Sequence, residues 1–112
     1  MTIFTKIINK EIPAQIVYED EKCLAFRDIN AQAPVHVLLI PKREIPTMND
    51  VKTTDAELMG YLMVKAPEIA KQLGVAEKGY RLVINTNENA GQTVPHIHIH
   101  IIGGRELTWP PG

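Results

Sequence analysis

The sequence predicts an α+β fold with an antiparallel sheet, and three observations carry that expectation. Two segments repeat apolar residues at helical spacing, about five short runs are rich in β-branched residues, and most of those runs are separated by hairpin-like turns. A chain of 112 residues with 45% hydrophobic content fits one domain with one core, so residues 1–112 are read as a single domain.

The first helix is expected in "TIFTKIINKE", where Ile3, Phe4, Ile7 and Ile8 recur at helical spacing, Thr2 is placed to cap the N-terminus and Pro13 closes the segment. "QIVYED" and "CLAFRDI" then read as a hairpin about the charged turn "EDEK". A third strand, "VHVLLIP", is entered after Pro34 and stopped at Pro41. The long helix should begin near Thr54, because Thr54 and Glu57 have capping-box spacing. Leu58, Leu62, Ile69 and Leu73 mark its buried stripe, and Gly74 is a natural stop. Pro67 falls inside this pattern and is expected to kink or split the helix, since proline lacks an N–H and crowds the preceding turn. "YRLVINT" and "HIHIHII" supply the last two strands, joined by the turn-rich "NENAGQTV".

Composition narrows the function classes. A net charge of −1 and a pI near 6.4 give no basic excess, which argues against nucleic-acid binding by bulk electrostatics. No apolar run approaches the ~20 residues of a membrane span. "MTIFTKIINKEIP" interrupts its apolar residues with Lys6, Asn9 and Lys10, unlike the unbroken core of a signal peptide. The single cysteine, Cys23, allows no internal disulfide and suits a reducing compartment, so a cytoplasmic location is expected. Within the apolar run "CLAF" it reads as a buried structural thiol. The chain has no serine, which excludes a Ser-His-Asp hydrolase.

The chemistry gathers in "VPHIHIHII", Val94 to Ile102, which holds three of the four histidines at alternate positions. Residues i, i+2 and i+4 of a strand share a face, so His96, His98 and His100 are expected on one side and Ile97, Ile99 and Ile101 on the other. Three explanations compete. Purely structural histidines would need three separate partners in register. A metal site can use two strand histidines with His36 as a third ligand, but no Asp, Glu or Cys adjoins the row and no helical HExxH motif exists. Nucleophilic catalysis at phosphorus would use one imidazole to attack while the others set its tautomer and shuttle protons.

The preceding "NAGQTVPH" favours the last explanation. Gly91 lets backbone N–H groups approach an anion, and Gln92 and Thr93 add neutral donors, as a transferring phosphoryl group requires. His36 alternates with Leu38 and Ile40. It reaches the same site only if its strand neighbours the histidine strand, and otherwise reads as a core histidine.

"HIHIHII" fits the pattern His-φ-His-φ-His-φ-φ, with φ apolar, and the chain resembles the histidine triad (HIT) superfamily. "TIFTKIINKEIPAQIVYEDEKCLAFRDI", "APVHVLLIPK", "GYRLVIN", "GQTVPHIHIHIIGGR" and "WPPG" extend the likeness over nearly the whole chain, to the Hint branch of histidine triad nucleotide-binding proteins. The resemblance implies the HIT fold, with a five-stranded, mainly antiparallel sheet, two helices, and a sheet continued across a homodimer. It also implies hydrolysis of purine nucleoside 5′-phosphoramidates, derived from AMP or GMP, with no cofactor and no metal.

By match of motif, His98 attacks the α-phosphorus and forms a nucleotidyl-histidine, which water then cleaves. His96 orients His98 through its backbone carbonyl, while His100 and His36 assist by phosphate contact and proton handling. Asn85, Gly91, Gln92, Thr93 and the Val94 amide surround the phosphate and leaving group. Asp28 grips the ribose hydroxyls, with a turn-capping aspartate as the alternative on sequence alone. Ile3, Phe4, Ile7, Phe26, Ile29 and Leu38 match the apolar walls of the nucleoside pocket, although each taken singly reads as core. Trp109 matches an aromatic that approaches the partner subunit's site but equally suits an anchor for the tail.

Two departures stand out: Thr93 where serine is common in the branch, and Pro67 in a helix that can contribute to a dimer interface. Rival functions are a dinucleoside polyphosphate hydrolase of the same superfamily and a nucleotide- or zinc-binding regulator with incidental catalysis. The tail "GGRELTWPPG" favours the Hint branch, and His100 favours transfer to water, since galactose-1-phosphate-type transferases carry glutamine there.

Overall fold

A computed structural model describes all of Met1–Gly112. Five strands, β1 (Ile16–Glu19), β2 (Cys23–Arg27), β3 (Val35–Pro41), β4 (Tyr80–Val83) and β5 (Ile99–Gly103), pair antiparallel in the order β1-β2-β3-β5-β4. With helices α1 (Ile3–Ile8) and α2 (Ala56–Gln72) they make the expected α+β fold.

Each turn has a local cause. The Thr2 hydroxyl accepts the Thr5 N–H and caps α1, as its position predicts, but the helix stops at Ile8, well short of Pro13. Lys10 takes a left-handed φ of 62° just beyond that end. Between β1 and β2, one oxygen of Asp20 accepts the N–H groups of Lys22 and Cys23, which closes the expected hairpin.

The sheet buries its two faces differently. On one side Leu62, Ala66, Ile69 and Ala70 of α2 pack on Cys23, Ala25, Val37, Leu39, Ile99 and Ile101. The small alanines let the helix backbone approach the sheet closely, and Leu58 and Leu73 at its ends are only partly buried. Cys23 is fully buried here, and burial pushes its thiol up to about 12, consistent with a structural role. On the other side Phe4 and Ile7 of α1 pack on Leu24, Phe26, Leu38 and Ile40.

Three expectations need correction. The Thr54–Glu57 capping box does not form. Instead the Asp55 carboxylate accepts the Lys52 N–H, a 3₁₀ turn covers Thr53–Asp55, and α2 begins at Ala56. Pro67 does not split α2, which is continuous from Ala56 to Gln72. Both Pro67 and Met63, whose carbonyl the missing N–H would have met, lie on the exposed side, so water can serve that carbonyl. The third concerns the histidine row: β5 starts only at Ile99, so His96 and His98 stand in the irregular segment that leads into it. The Ile97 N–H is taken by the Ile45 carbonyl from the loop after β3, and that contact holds the lead-in beside the sheet.

Candidate active site

The strand order answers the question the sequence leaves open about His36. β3 lies directly beside β5, in a register that puts Leu38 opposite His100 and His36 opposite Ile102. All four histidines converge. The rings of His98 and His100 are 5.1 Å apart, those of His36 and His100 5.2 Å, and Phe4 presents its ring edge-on to both His98 and His96.

The hydrogen bonds assign every neutral ring a tautomer. The His96 carbonyl can only accept, so His98 donates Nδ1–H to it at 2.8 Å and keeps its lone pair on Nε2. The Pro41 carbonyl likewise takes Nε2–H of His96 at 2.8 Å, leaving His96 Nδ1 as an acceptor for the Thr2 hydroxyl at 3.2 Å. The Gln32 amide can only donate, so His36 accepts on Nδ1 at 3.0 Å and carries its proton on Nε2, which meets His100 Nδ1 at 2.9 Å. His100 therefore holds its own proton on Nε2. Hydrogen bonding leaves one imidazole, His98, with an unclaimed lone pair beside a ring that has an N–H to give.

Burial favours neutral rings. It lowers the pKa of His36 against the opposing pull of Asp28, lowers that of His96, and brings His100 down to about 4, helped by the repulsion that a second charged ring beside it would meet. No buried side-chain nitrogen or oxygen lacks a partner.

The loop before the row divides the work among its residues. Gly91 has a left-handed φ of 80°, which explains a glycine there. Gln92 is spent internally: its amide donates to the Pro46 and Val94 carbonyls at 2.7 and 3.0 Å, and its oxygen accepts the Asn87 N–H at 2.8 Å. Asn85 likewise donates to the Ala90 carbonyl at 2.7 Å. Both shape the loop in this structure, where the sequence reading has them facing a phosphate. The Thr93 side chain is exposed, and the Val94 N–H is given to no backbone carbonyl. A depression of about 410 Å³ lies here, lined by Gly91, Gln92, Thr93 and Pro95 among others.

Asp28 satisfies both of its readings at once. One carboxylate oxygen accepts the Asn30 N–H at 2.9 Å and caps the turn, while the other stands 3.4 Å from His36 Nε2. Asp28 and Ile29 also line a second depression of about 540 Å³ with Pro13, Ala14, Gln15 and Arg27. The apolar wall residues fall into two groups. Phe4, Ile7, Phe26 and Leu38 are buried as a floor, whereas Ile3 and Ile29 stand out in solvent. Trp109, 79% exposed, lies apart on the tail, with the Arg81 guanidinium over its ring.

Asp28, His36 and His100 are grouped closely enough to be tested as metal ligands, with their donor atoms within 4.8 Å of one another. They fit poorly. The His36 and His100 nitrogens share a proton at 2.9 Å, and two nitrogens on one tetrahedral zinc stand about 3.3 Å apart with lone pairs turned to the ion, not to each other. Sequence reasoning missed Gln32, Pro41 and Glu44, which hold the rings in place. Two act through backbone groups, the Gln32 N–H as donor and the Pro41 carbonyl as acceptor, and backbone groups leave no residue-type signature.

Comparison with known proteins gives a consistent picture. The HIT domain family matches residues 9–107. An uncharacterized HIT-like protein from Synechocystis is 57% identical over 111 residues, spanning 99% of this chain and 96% of its own. A crystal structure described as a HIT family hydrolase from Legionella pneumophila superposes with a TM-score of 0.98 at 52% identity, covering 100% of both chains. A HIT family hydrolase from Clostridium thermocellum gives 0.92 at 45% identity, covering 96% of this chain and 93% of that one.

Proposed function

We propose, from the premise that this chain belongs to the HIT domain family, that it hydrolyses purine nucleoside 5′-phosphoramidates through a nucleotidyl-histidine on His98. The observation that carries the reading is the His98 Nδ1–H bond to the His96 carbonyl, which leaves the Nε2 lone pair free to attack.

In the first step Nε2 of His98 forms a bond to the α-phosphorus, the P–N bond of the substrate breaks, and the amine leaves with a proton relayed by the His100 N–H or the Thr93 hydroxyl. The Val94 amide is available to the charge gathering on the phosphoryl oxygens. In the second step water attacks phosphorus and its proton restores the group that protonated the amine, the P–Nε2 bond breaks so that His98 departs as a neutral imidazole, and the nucleoside monophosphate is released. No step asks for a metal or a cofactor. Asp28 takes the ribose hydroxyls, and the nucleoside lies over Phe4, Ile7, Phe26 and Leu38 between the exposed Ile3 and Ile29.

The functional unit in this reading is a cytoplasmic homodimer. The free edge of β4 and the exposed Met63 and Val64 on α2 support a second copy, and Trp109 would reach that copy's site. No helix is long and apolar enough to cross a membrane.

The test is AMP release from adenosine 5′-phosphoramidate by chelator-stripped protein, with His98→Ala alongside. Release by the stripped protein, loss of roughly 10³-fold or more in the variant, and a nucleotidyl adduct in acid-quenched wild type are expected. Activity that returns only with zinc would move the histidines to the metal reading. Silence in both conditions would leave a binding protein. Light scattering on the same samples checks the dimer.

A further inference from the structure

The buried ring of His96 is held from both sides, and one side belongs to the helix N-cap. Thr2 Oγ1 lies 3.2 Å from His96 Nδ1 while accepting the Thr5 N–H at 3.2 Å. A hydroxyl has one proton and can accept as well as donate, so both contacts can be made together. Glu44 decides where the protons go. Its Oε1 takes the Thr5 hydroxyl proton at 2.6 Å and the Thr2 N–H at 3.2 Å. Thr5 then has no proton to give to Thr2, although their oxygens are 3.3 Å apart, and the Thr2 proton is free for His96.

We propose that Thr2 is a positioning residue for the histidine row. Its hydroxyl, set by Thr5 and Glu44, fixes His96 as the Nε2–H tautomer bonded to Pro41, and so fixes the His96 carbonyl that aims His98. The same helix carries Phe4, whose ring edge meets His98 with 5.0 Å between ring centres, so α1 is docked on the row at two points. The inference deepens the reading of His98 as nucleophile and rests on it for its kinetic consequence. The tautomer itself does not depend on that reading.

Three substitutions separate this role from ordinary helix capping. Thr2→Ser keeps the cap and the donor. Thr2→Asp keeps the cap, since aspartate caps as well as serine, but offers His96 only an acceptor. Thr2→Val loses both. Intact mass checks that all four proteins are compared with the same N-terminus. The readouts are ¹⁵N chemical shifts of the His96 ring and steady-state kinetics on adenosine 5′-phosphoramidate.

Positioning requires Ser to match the wild type. It requires Asp and Val both to lose roughly tenfold or more in kcat with KM little changed, and His96 Nδ1 to become protonated in Asp. If Asp matches the wild type in rate and tautomer while Val alone is impaired, Thr2 is a cap and the proposal fails. An inactive wild type would sink the phosphoramidase reading, yet the ring shifts would still decide whether Thr2 sets the tautomer.

Discussion

The two faces of the sheet bury their residues by different physics. The α2 face is dry: Cys23, Ala25, Val37, Leu39, Ile99 and Ile101 meet Leu62, Ala66, Ile69 and Ala70 with no charged group among them. The α1 face buries His36, His96 and His98 beside Phe4, Leu38 and Phe26. Each ring nitrogen that is tied down there is tied to a specific partner. An apolar face is stabilised roughly in proportion to area removed from water, and its exact residues can be exchanged at modest cost. A hydrogen-bonded face works only if every partner is right. β3 and β5 contribute to both faces at once, alternating Val37 and Leu39 on one with His36 and Leu38 on the other. The sheet thus anchors the site to the dry core.

The sharpest way to break that comparison is to injure one face at a time. Leu39 is fully buried, so Leu39→Ala should cost about 2–5 kcal/mol of stability. The rate of the proposed reaction per folded molecule should stay within a few-fold of wild type at low temperature. His98→Ala should do the reverse, with stability changed by about 1 kcal/mol and turnover lost. Urea melts and rates measured on the same preparations would show the crossing. Equal loss of both properties in both variants would mean the faces are not separable.

The next effect is a pH dependence that belongs to the histidine face alone. Burial holds His100 neutral down to about 4, whereas in the unfolded chain an imidazole takes its proton near 6.5. Between those values the unfolded state binds the extra proton, so stability should fall as pH falls from about 6.5 towards 4. His36 and His96, also lowered by burial, act in the same direction. Asp20, whose carboxylate is held below its usual range by the hydroxyls of Tyr18 and Tyr61, contributes only at still lower pH. His100→Asn should flatten the thermal-midpoint curve over this window, and an unchanged slope would show that His100 is not the group being titrated.

How much of this was legible follows the same divide. The apolar face is written in spacing: Leu62 and Ile69 at helical intervals, and Ile99 and Ile101 at strand intervals, lie where the pattern puts them. So are the Thr2 cap and the Asp20 hairpin, because both signals act within a few residues of themselves. The histidine alternation predicts a cluster of rings, and the rings do converge, but its extension into a strand from His96 does not hold. What holds His96 and Ile97 is Pro41, Ile45 and Thr2, all remote in sequence. The same distance hides the inward turn of Gln92 to Pro46, since an amide in a glycine-bearing loop looks alike whether it faces a ligand or its own chain.

Pro67 tests the dry face from its outer side, with the smallest effect. The helix tolerates it because the Met63 carbonyl is left on the water side, and toleration is not benefit. Alanine in a helix interior is favoured over proline by about 3 kcal/mol, most of which an exposed, already accommodated proline does not realise. Proline also restricts the unfolded chain, which returns about 0.4–1 kcal/mol to the native protein. The balance for Pro67→Ala is a gain of about 1 kcal/mol, with turnover unchanged because the residue lies on α2, across the sheet from the histidines. Denaturant melts would read the gain directly. A loss instead would mean that Pro67 makes a contact absent from the single chain, and the exposed Met63 and Val64 beside it would then be the place to seek a partner surface.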